Sequence, residues 1–317
     1  MSRSEVLALL RRDEYISGEE ISRQLGVSRA AVWKAVRALR AEGCRIDSVP
    51  NRGYCLRPAG HLNATLLQAS PWNVIVPAEV DSTNNIAKQL GAQGAPHGTV
   101  VVAERQTGGR GRLGRSFASP SGGVYLSVLL RPELPLERLM SLTALAAVAT
   151  RRAICDCCGL SPDIKWMNDL LWQGKKLCGI LTELSCEAES GRLEYAVIGI
   201  GINCNTQTSE LPPEVQARAA SLREATGRDI DVNTMAAALI ARLRELDGVL
   251  HGDGSAWIQE YRSACVTLGR QVLLLRAGVR RSALALDIDD NAGLIVRYDD
   301  GTTGTVNSGE VSVRGIY

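Results

Sequence analysis

The chain has 317 residues, of which 45% are hydrophobic and 22% charged, a balance that is typical of folded globular proteins. It excludes a disordered chain, a collagen and a coiled coil. The length predicts about two domains, or about three if one is small. The longest apolar runs are too short for a membrane span or for the core of a signal peptide. Nine cysteines at irregular spacing then indicate free thiols in a reducing, cytoplasmic protein.

Positive charge is concentrated near the N-terminus. Residues 1–60 carry eleven Lys and Arg against seven Asp and Glu, a net charge of +4. The rest of the chain has 25 basic and 27 acidic residues, a net charge of −2. This asymmetry favours an acidic partner for the first sixty residues.

The same sixty residues are predicted to form three short helices and a β-hairpin. Serines stand at the N-cap positions of the second and third helices, and a glycine ends the second. The turn between these two helices is Gly-Val-Ser, which predicts a helix-turn-helix. The hairpin, with a Pro-Asn-Arg-Gly turn, would be the wing of a winged helix. The predicted helices span about residues 2–12, 17–26 and 28–42, and the hairpin spans residues 45–56.

The third predicted helix has an apolar and a basic face. Val32, Val36 and Leu39 repeat at helical spacing and are expected to face inward. The basic face suits the phosphate-lined major groove of DNA, and a protein-interaction module with a solvated basic face is the alternative. The predicted DNA-contacting residues are Ser28, Arg29, Trp33, Lys34, Arg37 and Arg40 on this helix and Arg52 at the wing tip.

Residues 57–61, Arg-Pro-Ala-Gly-His, interrupt every periodic pattern and mark a domain boundary. Beyond them, strand-like and helical patterns alternate, which predicts a mixed sheet flanked by helices. Five further strand-like runs follow between residues 271 and 313. The earlier strand-like runs are 74–76, 98–103, 125–130, 170–172, 179–183 and 195–200, and the helical patterns are 84–89, 136–155 and 232–250.

Residues 104–116 pack four glycines and four arginines between two strand patterns. Glycine lets the backbone approach a ligand closely, and arginine offers forked donors to phosphate or carboxylate. The segment is therefore a candidate clamp for an anionic ligand, with a mobile surface loop or an RNA contact as the alternative. It is neither a P-loop, since no Gly-Lys-Ser/Thr follows, nor a dinucleotide-binding fingerprint.

Two lysine-containing segments follow. Residues 165–169, Lys-Trp-Met-Asn-Asp, predict a hairpin turn. Lys176 enters an otherwise apolar strand, where a surface-facing lysine is more common than a catalytic one. Residues 199–203, Gly-Ile-Gly-Ile-Asn, are typical of a strand end with close backbone approach. The three histidines, at positions 61, 97 and 251, lack zinc-binding spacing, so no metal site is expected.

Together these motifs resemble the family of biotin–protein ligases that double as biotin operon repressors. Met167 replaces the proline usual in the family, so the backbone before it is less restricted, while Asn168 and Asp169 are retained. The matching pieces span nearly the whole chain and are, in order, SGEEISRQLGVSRAAVWKAVRALRAEG, VPNRGYCL, DSTN, QTGGRGRLGR, KWMND, KKLCGIL, GIGIN and SGEVSVR.

The resemblance implies a multidomain α+β chain. A winged helix-turn-helix would occupy residues 1–60, a mixed α/β catalytic domain residues 61–267, and an SH3-like barrel residues 268–317. The implied reaction joins biotin and MgATP into biotinyl-5′-AMP and passes the biotinyl group to a lysine of the biotin carboxyl carrier protein of acetyl-CoA carboxylase. The implied repressor binds operator DNA as a homodimer when biotinyl-5′-AMP is bound, with no membrane association.

The resemblance also implies roles for particular residues. Lys176, Arg110 and Arg112 would be catalytic, because they offset the repulsion between the biotin carboxylate and the α-phosphate. The implied biotin-binding residues are Ser82, Thr83, Asn84, Gln106, Arg110, Gly111, Arg112 and Lys176. The implied contacts to ATP and Mg²⁺ are Lys165, Asn168, Asp169 and Asn203. A non-catalytic biotin-sensing repressor and a lipoate–protein ligase are the alternatives.

Overall fold

The computed structural model describes most of the chain, which folds into an N-terminal, a central and a C-terminal region. None of the described helices is long and apolar enough to cross a membrane. The described residues are 3–10, 14–57, 61–67, 71–135, 138–187, 189, 192–248, 255–276, 279–307 and 310–313.

The N-terminal region is a winged helix, as predicted. Ser17 and Ser28 cap the second and third helices, since their hydroxyl oxygens accept from the backbone N–H groups of Glu20 (3.0 Å) and Ala31 (3.2 Å). Both ends of the first predicted helix, at residues 2, 11 and 12, lie outside the described residues. The elements are α1 (Arg3–Leu10), α2 (Gly18–Leu25), α3 (Arg29–Ala41), β1 (Ile46–Val49) and β2 (Gly53–Leu56).

The wing packs against the residues that precede α2. The N–H of Ile16 donates to the carbonyl of Tyr54 and the N–H of Tyr54 donates back, both at 2.9 Å. Gly53 permits this approach, because a Cβ there would lie 2.1 Å from the Ile16 carbonyl oxygen. Gly53 also has φ +100°, a conformation that favours glycine.

A short helix, α4 (Ala64–Leu67), joins the winged helix to the central region. Leu66 belongs to the apolar core of the winged helix, whereas the adjacent Leu67 belongs to the core of the central region. The side-chain amide of Asn63 donates to the Glu42 carbonyl at 2.7 Å, and the Asn63 N–H donates to the side chain of Asn233 at 2.7 Å. The predicted domain boundary is thus followed by a segment that is hydrogen-bonded both to the winged helix and to the central region.

The central region is a seven-stranded sheet with helices on both faces. Its strand order is β3-β4-β5-β9-β8-β7-β6, with β3 parallel to β4 and the other neighbours antiparallel. The strands are β3 (Asn73–Ile75), β4 (Thr99–Ala103), β5 (Val124–Leu130), β6 (Asp163–Lys165), β7 (Asp169–Trp172), β8 (Lys175–Cys186) and β9 (Leu193–Ile202). The helices are α5 (Thr83–Ala92), α6 (Leu139–Cys158), α7 (Pro213–Gln216), α8 (Leu222–Thr226), α9 (Val232–Asp247) and α10 (Ser255–Ala264).

Alternation along the central strands divides the core between the two faces. On β4, Val100 and Val102 belong to the large core that includes α6 and α9, while Val101 belongs to the smaller cluster under α5. Such burial on both faces explains the continuous apolar runs of the strands. All six strand-like runs of this region are confirmed, and so are its three helical patterns, except that positions 136–137 and 249–250 of these patterns lie outside the described residues. The elements β6, α7, α8 and α10 were not predicted, because their short patterns are not distinctive.

The C-terminal region is a five-stranded antiparallel sheet of the expected SH3-like class. Its strand order is β13-β12-β11-β10-β14, and in the described residues no pairing of β13 with β14 closes it into a full barrel. Trp166 attaches it to the central sheet, with its indole N–H donating to the Ala292 carbonyl at 3.0 Å. The strands are β10 (Gln271–Arg276), β11 (Val279–Ile288), β12 (Leu294–Tyr298), β13 (Thr303–Val306) and β14 (Glu310–Val313).

Replacing Gly53 by alanine is expected to destabilise the winged helix by about 2–5 kcal/mol, because positive φ and overpacking both penalise the new methyl group. Gly26→Ala is the matched control: φ is +65° there, but no atom lies within 4 Å of the added carbon. We expect this control to cost about 1–2 kcal/mol. Amide hydrogen exchange across α2 and α3 in the full chain measures both, and equal losses would contradict the steric account.

Candidate active site

A pocket opens where the arginine-glycine segment crosses the sheet. All eight residues assigned to biotin by resemblance line it, as does Asn168 from the nucleotide set. These residues come from α5, from the loop after β4 and from β8, so the fold brings together segments nearly a hundred positions apart. The full lining is Ser82, Thr83, Asn84, Gln106, Arg110, Gly111, Arg112, Phe117, Tyr125, Asn168, Lys176, Gly179, Ile180, Leu181, Gly199, Ile200 and Gly201.

The floor of the pocket is made of glycines on the paired strands β8 and β9. A Cβ at Gly201 would lie 2.5 Å from the Phe117 ring, and a Cβ at Gly179 would lie 2.9 Å from Nζ of Lys176. Since Gly179 and Gly201 pair directly in the sheet, the two strands let Phe117 and Lys176 approach the backbone closely there. The sequence showed the glycines of residues 199–203 as a weak signal, and only the strand pairing explains them.

One end of the pocket is a network of uncharged polar side chains. The N–H of Thr83 donates to Oε1 of Gln106 at 2.8 Å, and Nε2 of Gln106 contacts the Ser119 hydroxyl at 2.8 Å. Ser82 is buried beside them, and its hydroxyl does not cap α5. Polar groups that hold each other at fixed positions can recognise a buried polar ligand without leaving donors or acceptors unpaired.

The other end is positively charged. Nζ of Lys176 lies 2.6 Å from Oδ1 of Asp169 and 5.6 Å from the centroid of the Phe117 ring. Lys176 therefore faces the pocket, and the more common surface-facing alternative for a strand lysine is wrong here. The register of β7 and β8 has an irregularity beside it, between Leu170 and Leu171.

The arginine-glycine segment folds over this end as a tight loop. The Gly111 N–H donates to the Arg115 carbonyl at 2.7 Å, and the Phe117 N–H donates to the Gly109 carbonyl at 2.9 Å. Gly109 is required, because a Cβ there would lie 2.3 Å from the Phe117 carbonyl oxygen. Arg110 is exposed at the pocket rim, while Arg112 is half-buried and donates to Oδ1 of Asn168 at 3.1 Å.

Three residues of the nucleotide set are not in the pocket lining. Asp169 contacts the pocket only indirectly, through its ion pair with the lining residue Lys176. Asn203 is buried and donates to the Ala220 carbonyl at 3.1 Å, so it holds the backbone beside Lys176. Lys165 is 8% exposed on β6. The turn that carries Met167 is held from the core, with the Tyr261 hydroxyl donating to the Met167 carbonyl at 3.2 Å.

Sequence reasoning missed Phe117 and Tyr125 in the lining. Their rings meet edge to face at 6.4 Å, and the Tyr125 hydroxyl donates to the Pro120 carbonyl at 2.8 Å. Phe117 is the sole phenylalanine of the chain and follows the arginine-glycine segment directly, which was an available signal.

An apolar cleft adjoins the charged end. It shares Arg112, Asn168, Ile180 and Leu181 with the pocket. It adds Leu113 and Leu184, which are 71% and 47% exposed. No group of three or more His, Cys, Asp or Glu side chains in the described ranges could hold a metal ion.

The predicted DNA-contacting residues lie on the exposed face of α3 and at the wing. Trp33 is 55% exposed, with the Arg37 guanidinium 5.5 Å from its ring. Arg40 instead donates to the Ile46 carbonyl at 3.0 and 2.6 Å, which ties α3 to the wing. Arg52 stacks 4.5 Å from the Tyr15 ring. Arg29 and Lys34 are exposed, while the Ser28 hydroxyl is used as a helix cap.

Comparisons with known proteins cover all three regions. Residues 76–203 match the biotin/lipoate A/B protein ligase family, residues 2–55 match an HTH domain, and residues 267–314 match the biotin protein ligase C-terminal domain. The chain is 43% identical over 227 residues to the bifunctional ligase/repressor BirA of Bacillus subtilis, covering 69% of each chain. It is 32% identical over 315 residues to BirA of Escherichia coli, covering 98% of this chain and 96% of the relative.

Solved structures agree with these matches. The biotin protein ligase of Aquifex aeolicus, in complex with biotin and ATP, superposes with a TM-score of 0.66 at 32% identity. The superposition covers 76% of this chain and 98% of that one.

Glu183 gives the site a measurable pH dependence. Burial works to raise its pKa, but hydrogen bonds from Lys88 and Asn84 outweigh burial, so the pKa of Glu183 lies below its ordinary value of 4.5. The ionised group therefore contributes stability above about pH 4.5, and this contribution is lost as the pH falls. We expect Glu183→Gln to lose less stability than the unsubstituted protein between about pH 5 and about pH 3 in urea unfolding.

The exposed Glu189, on the connection from β8 to β9, provides the control for this measurement. Glu189→Gln should keep the acid dependence of the unsubstituted protein. If Glu183→Gln loses as much stability as the control between about pH 5 and about pH 3, the hydrogen bonds to Glu183 do not contribute to stability through its ionisation.

Proposed function

Because this chain belongs to the biotin protein ligase family, in the form that carries an N-terminal DNA-binding domain, we propose that it is both a ligase and a repressor. As a ligase it joins biotin and ATP into biotinyl-5′-AMP and diphosphate, and then passes the biotinyl group to a lysine of a biotin carboxyl carrier protein. As a repressor it binds operator DNA of biotin synthesis genes. The single observation that carries the ligase assignment is the pocket with a polar network at one end and Lys176, Arg110 and Arg112 at the other.

The two ends of the pocket suit the two ends of biotin. The ureido ring needs hydrogen-bond partners when it is buried, and Ser82, Thr83 and Gln106 supply them. The valeryl chain would lie along the glycine floor beside the Phe117 ring, which packs against Gly201. The carboxylate would then reach Lys176, beside which the α-phosphate of ATP must also come.

Adenylate formation brings two anions to bonding distance. The carboxylate oxygen attacks the α-phosphorus and diphosphate leaves, so the repulsion between the anions is the main barrier that the protein must offset. Lys176 supplies the central positive charge, and its ion pair with Asp169 holds Nζ in place before the ligands arrive. Arg110 and Arg112 add charge from the loop, which also shields the mixed anhydride from water.

Nucleotide binding in this proposal uses the charged end and the adjoining apolar cleft. Asn168 borders both, and Arg112 orients it. Asp169, Asn203 and Lys165 would support the nucleotide through Lys176 and the surrounding backbone rather than by direct contact. The described residues offer no carboxylate cluster of their own for Mg²⁺, so the ion would be held mainly by the phosphates of ATP.

We extend the proposal to assembly, location and domain limits. From Leu181 onward the outer edge of β8 has no partner strand in the described residues, and Leu184 is exposed beside it. This unpaired edge supports a homodimer that forms there once biotinyl-5′-AMP is bound.

Nine free cysteines support a cytoplasmic location. The domain limits 1–60, 61–267 and 268–317 remain part of the proposal, with α4 as the joint.

The overall test is incubation with biotin, MgATP and a carrier domain, followed by intact-mass measurement. A mass increment of one biotinyl group on the carrier is the expected result. Binding of biotin without any transfer would favour a sensing repressor, and transfer of a lipoyl group in place of biotin would favour a lipoate ligase.

Lys176→Ala is expected to lower the rate of adenylate formation by about 10²–10³-fold, because one charge that meets the developing anion is lost. Biotin-dependent exchange of pyrophosphate into ATP measures it. Lys175→Ala, one residue earlier and exposed, should leave the rate within about threefold. Similar small effects at both positions would refute the central role of Lys176.

Arg37→Ala is expected to weaken operator binding and to reduce the slope of log affinity against log salt by about 1, since one phosphate contact is lost. Ligation of the carrier should be unchanged, because Arg37 lies on the exposed face of α3. Fluorescence anisotropy with labelled operator DNA at several salt concentrations measures the slope. Arg244→Ala, at an exposed position of α9, is the control, and an equal slope change there would contradict the assignment.

A further inference from the structure

Tyr15 lies in the segment before α2, next to the point where the wing is attached. The following residue, Ile16, exchanges two backbone hydrogen bonds with Tyr54 of β2, both at 2.9 Å. Tyr15 is half-buried, whereas Arg52 at the wing tip is exposed. Because the backbone bonds hold β2 beside this segment, they keep the ring of Tyr15 close to the wing tip.

The ring of Tyr15 supports the guanidinium group of Arg52. The central carbon of this group, Cζ, lies 4.5 Å from the ring centroid, a distance at which a cation is attracted to an aromatic face. The neighbours of Arg52 in the turn, Asn51 and Gly53, both have positive φ, +63° and +100°. An arginine on an exposed turn ordinarily samples many rotamers, and the contact with Tyr15 restricts them.

A second arginine, Arg57, occupies the carboxylate of the wing. Its Nε donates to Oδ2 of Asp47 at 2.7 Å, and its Nη2 donates to the hydroxyl oxygen of Tyr15 at 3.0 Å. Asp47 is thus engaged by Arg57, and within the described residues no salt bridge joins Arg52 to a carboxylate. The positive charge of Arg52 therefore stays available to an anion from outside the protein, while the ring of Tyr15 restricts its direction.

An arginine that is already held in place binds a DNA phosphate more tightly than a mobile one. Ordering a long side chain on association costs free energy, and removing that cost in advance strengthens binding by about 2- to 10-fold. Phosphate contacts orient a protein on the duplex without reading its base sequence. The effect of such an arrangement should therefore appear on any duplex that the wing touches.

We propose that Tyr15 is a positioning residue for DNA binding, whose ring holds Arg52 of the wing tip in the conformation that meets a backbone phosphate. Arg57 supports this arrangement, because it bonds the Tyr15 hydroxyl and engages Asp47 at the same time. The inference rests on the proposed repressor function and deepens it, since Tyr15 lies outside the predicted set of DNA-contacting residues.

The test is a double-mutant cycle on the full chain, with DNA affinity measured by fluorescence anisotropy in the presence of biotin and MgATP. The probe is a labelled duplex from upstream of the biotin synthesis genes of the same organism. We expect Tyr15→Leu to weaken binding by about 3- to 10-fold, because Arg52 loses its support. In the Arg52→Ala background the same change should alter the affinity by less than about twofold, because the effect passes through Arg52.

Tyr15→Phe keeps the ring and should bind the duplex within about twofold of the unsubstituted protein. Tyr298→Leu is the matched control, because Tyr298 is also half-buried and carries a similar contact from Arg281, at 3.4 Å, in the C-terminal sheet. The DNA affinity of this control should stay within about twofold, since its aromatic ring lies outside the winged helix.

A measurement without DNA separates this role from a general loss of structure. The NMR order parameter of the Arg52 Nε–H bond in the free protein reports how far the side chain is held. It should fall in Tyr15→Leu and stay unchanged in Tyr15→Phe. Amide hydrogen exchange across α2 and α3 shows whether Tyr15→Leu loosens the winged helix, in which case Tyr15→Met, with a longer side chain, takes its place.

The outcomes are distinct. Unchanged or stronger DNA binding in Tyr15→Leu would overturn the inference, and so would a loss of equal size with and without Arg52, since Tyr15 would then act independently of the wing tip. Either result would leave the repressor function in place. Failure of the unsubstituted protein to bind the duplex at all would instead overturn the proposed repressor function.

Discussion

The pocket depends on the close pairing of two glycine-bearing strands. Where β8 and β9 meet, Gly179 faces Gly201, so the two strands contribute no side chains of their own there. Added carbons would collide with the Phe117 ring or with Lys176, so the ring and the lysine occupy the room that the glycines leave. The glycines thus let Phe117 and Lys176 lie directly against the sheet in the lining of the pocket.

The glycine floor lies between two polar environments that make different demands on a ligand. At one end, uncharged side chains hold each other in fixed orientations, so a ligand meets donors and acceptors whose desolvation has already been offset. At the other end, Lys176 pairs with Asp169 at 2.6 Å, and Arg110 and Arg112 line the pocket from the loop. An anionic group is therefore attracted to one end, while a polar ring fits the other.

Short hydrogen-bonded segments around α4 connect the central region, which holds this pocket, to the winged helix, which carries the DNA-binding surface. Adjacent leucines of α4 enter two different cores, and Asn63 bonds to both sides of the joint. Glu104, at the base of the arginine-glycine loop, accepts from the N–H of Leu62 and lies 3.3 Å from Nδ1 of His61. The loop and the joint thus share a hydrogen-bonded anchor, which gives the ligand site a physical connection to the orientation of the winged helix.

Local patterns in the sequence predicted most of the elements, whereas the identity of the pocket residues came from family resemblance. Helix caps such as Ser17 and Ser28 act within three residues, and alternation in the central strands reflects burial on their two faces, so both are readable along the chain. The arginine-glycine segment was recognisable by its chemistry, whereas Lys176 was assigned a catalytic role by family resemblance alone.

The sequence alone determined the order of the three regions, the winged helix and the mixed sheet, and family resemblance named the residues expected at the ligand pocket. Only the tertiary structure decided that Lys176 faces the pocket, that Arg40 is tied to the wing, and that Asn203 holds backbone. The physical reason is distance along the chain: the partner of Asn84 is Glu183, 99 positions away, and such pairings depend on strand register and helix packing that no local pattern specifies.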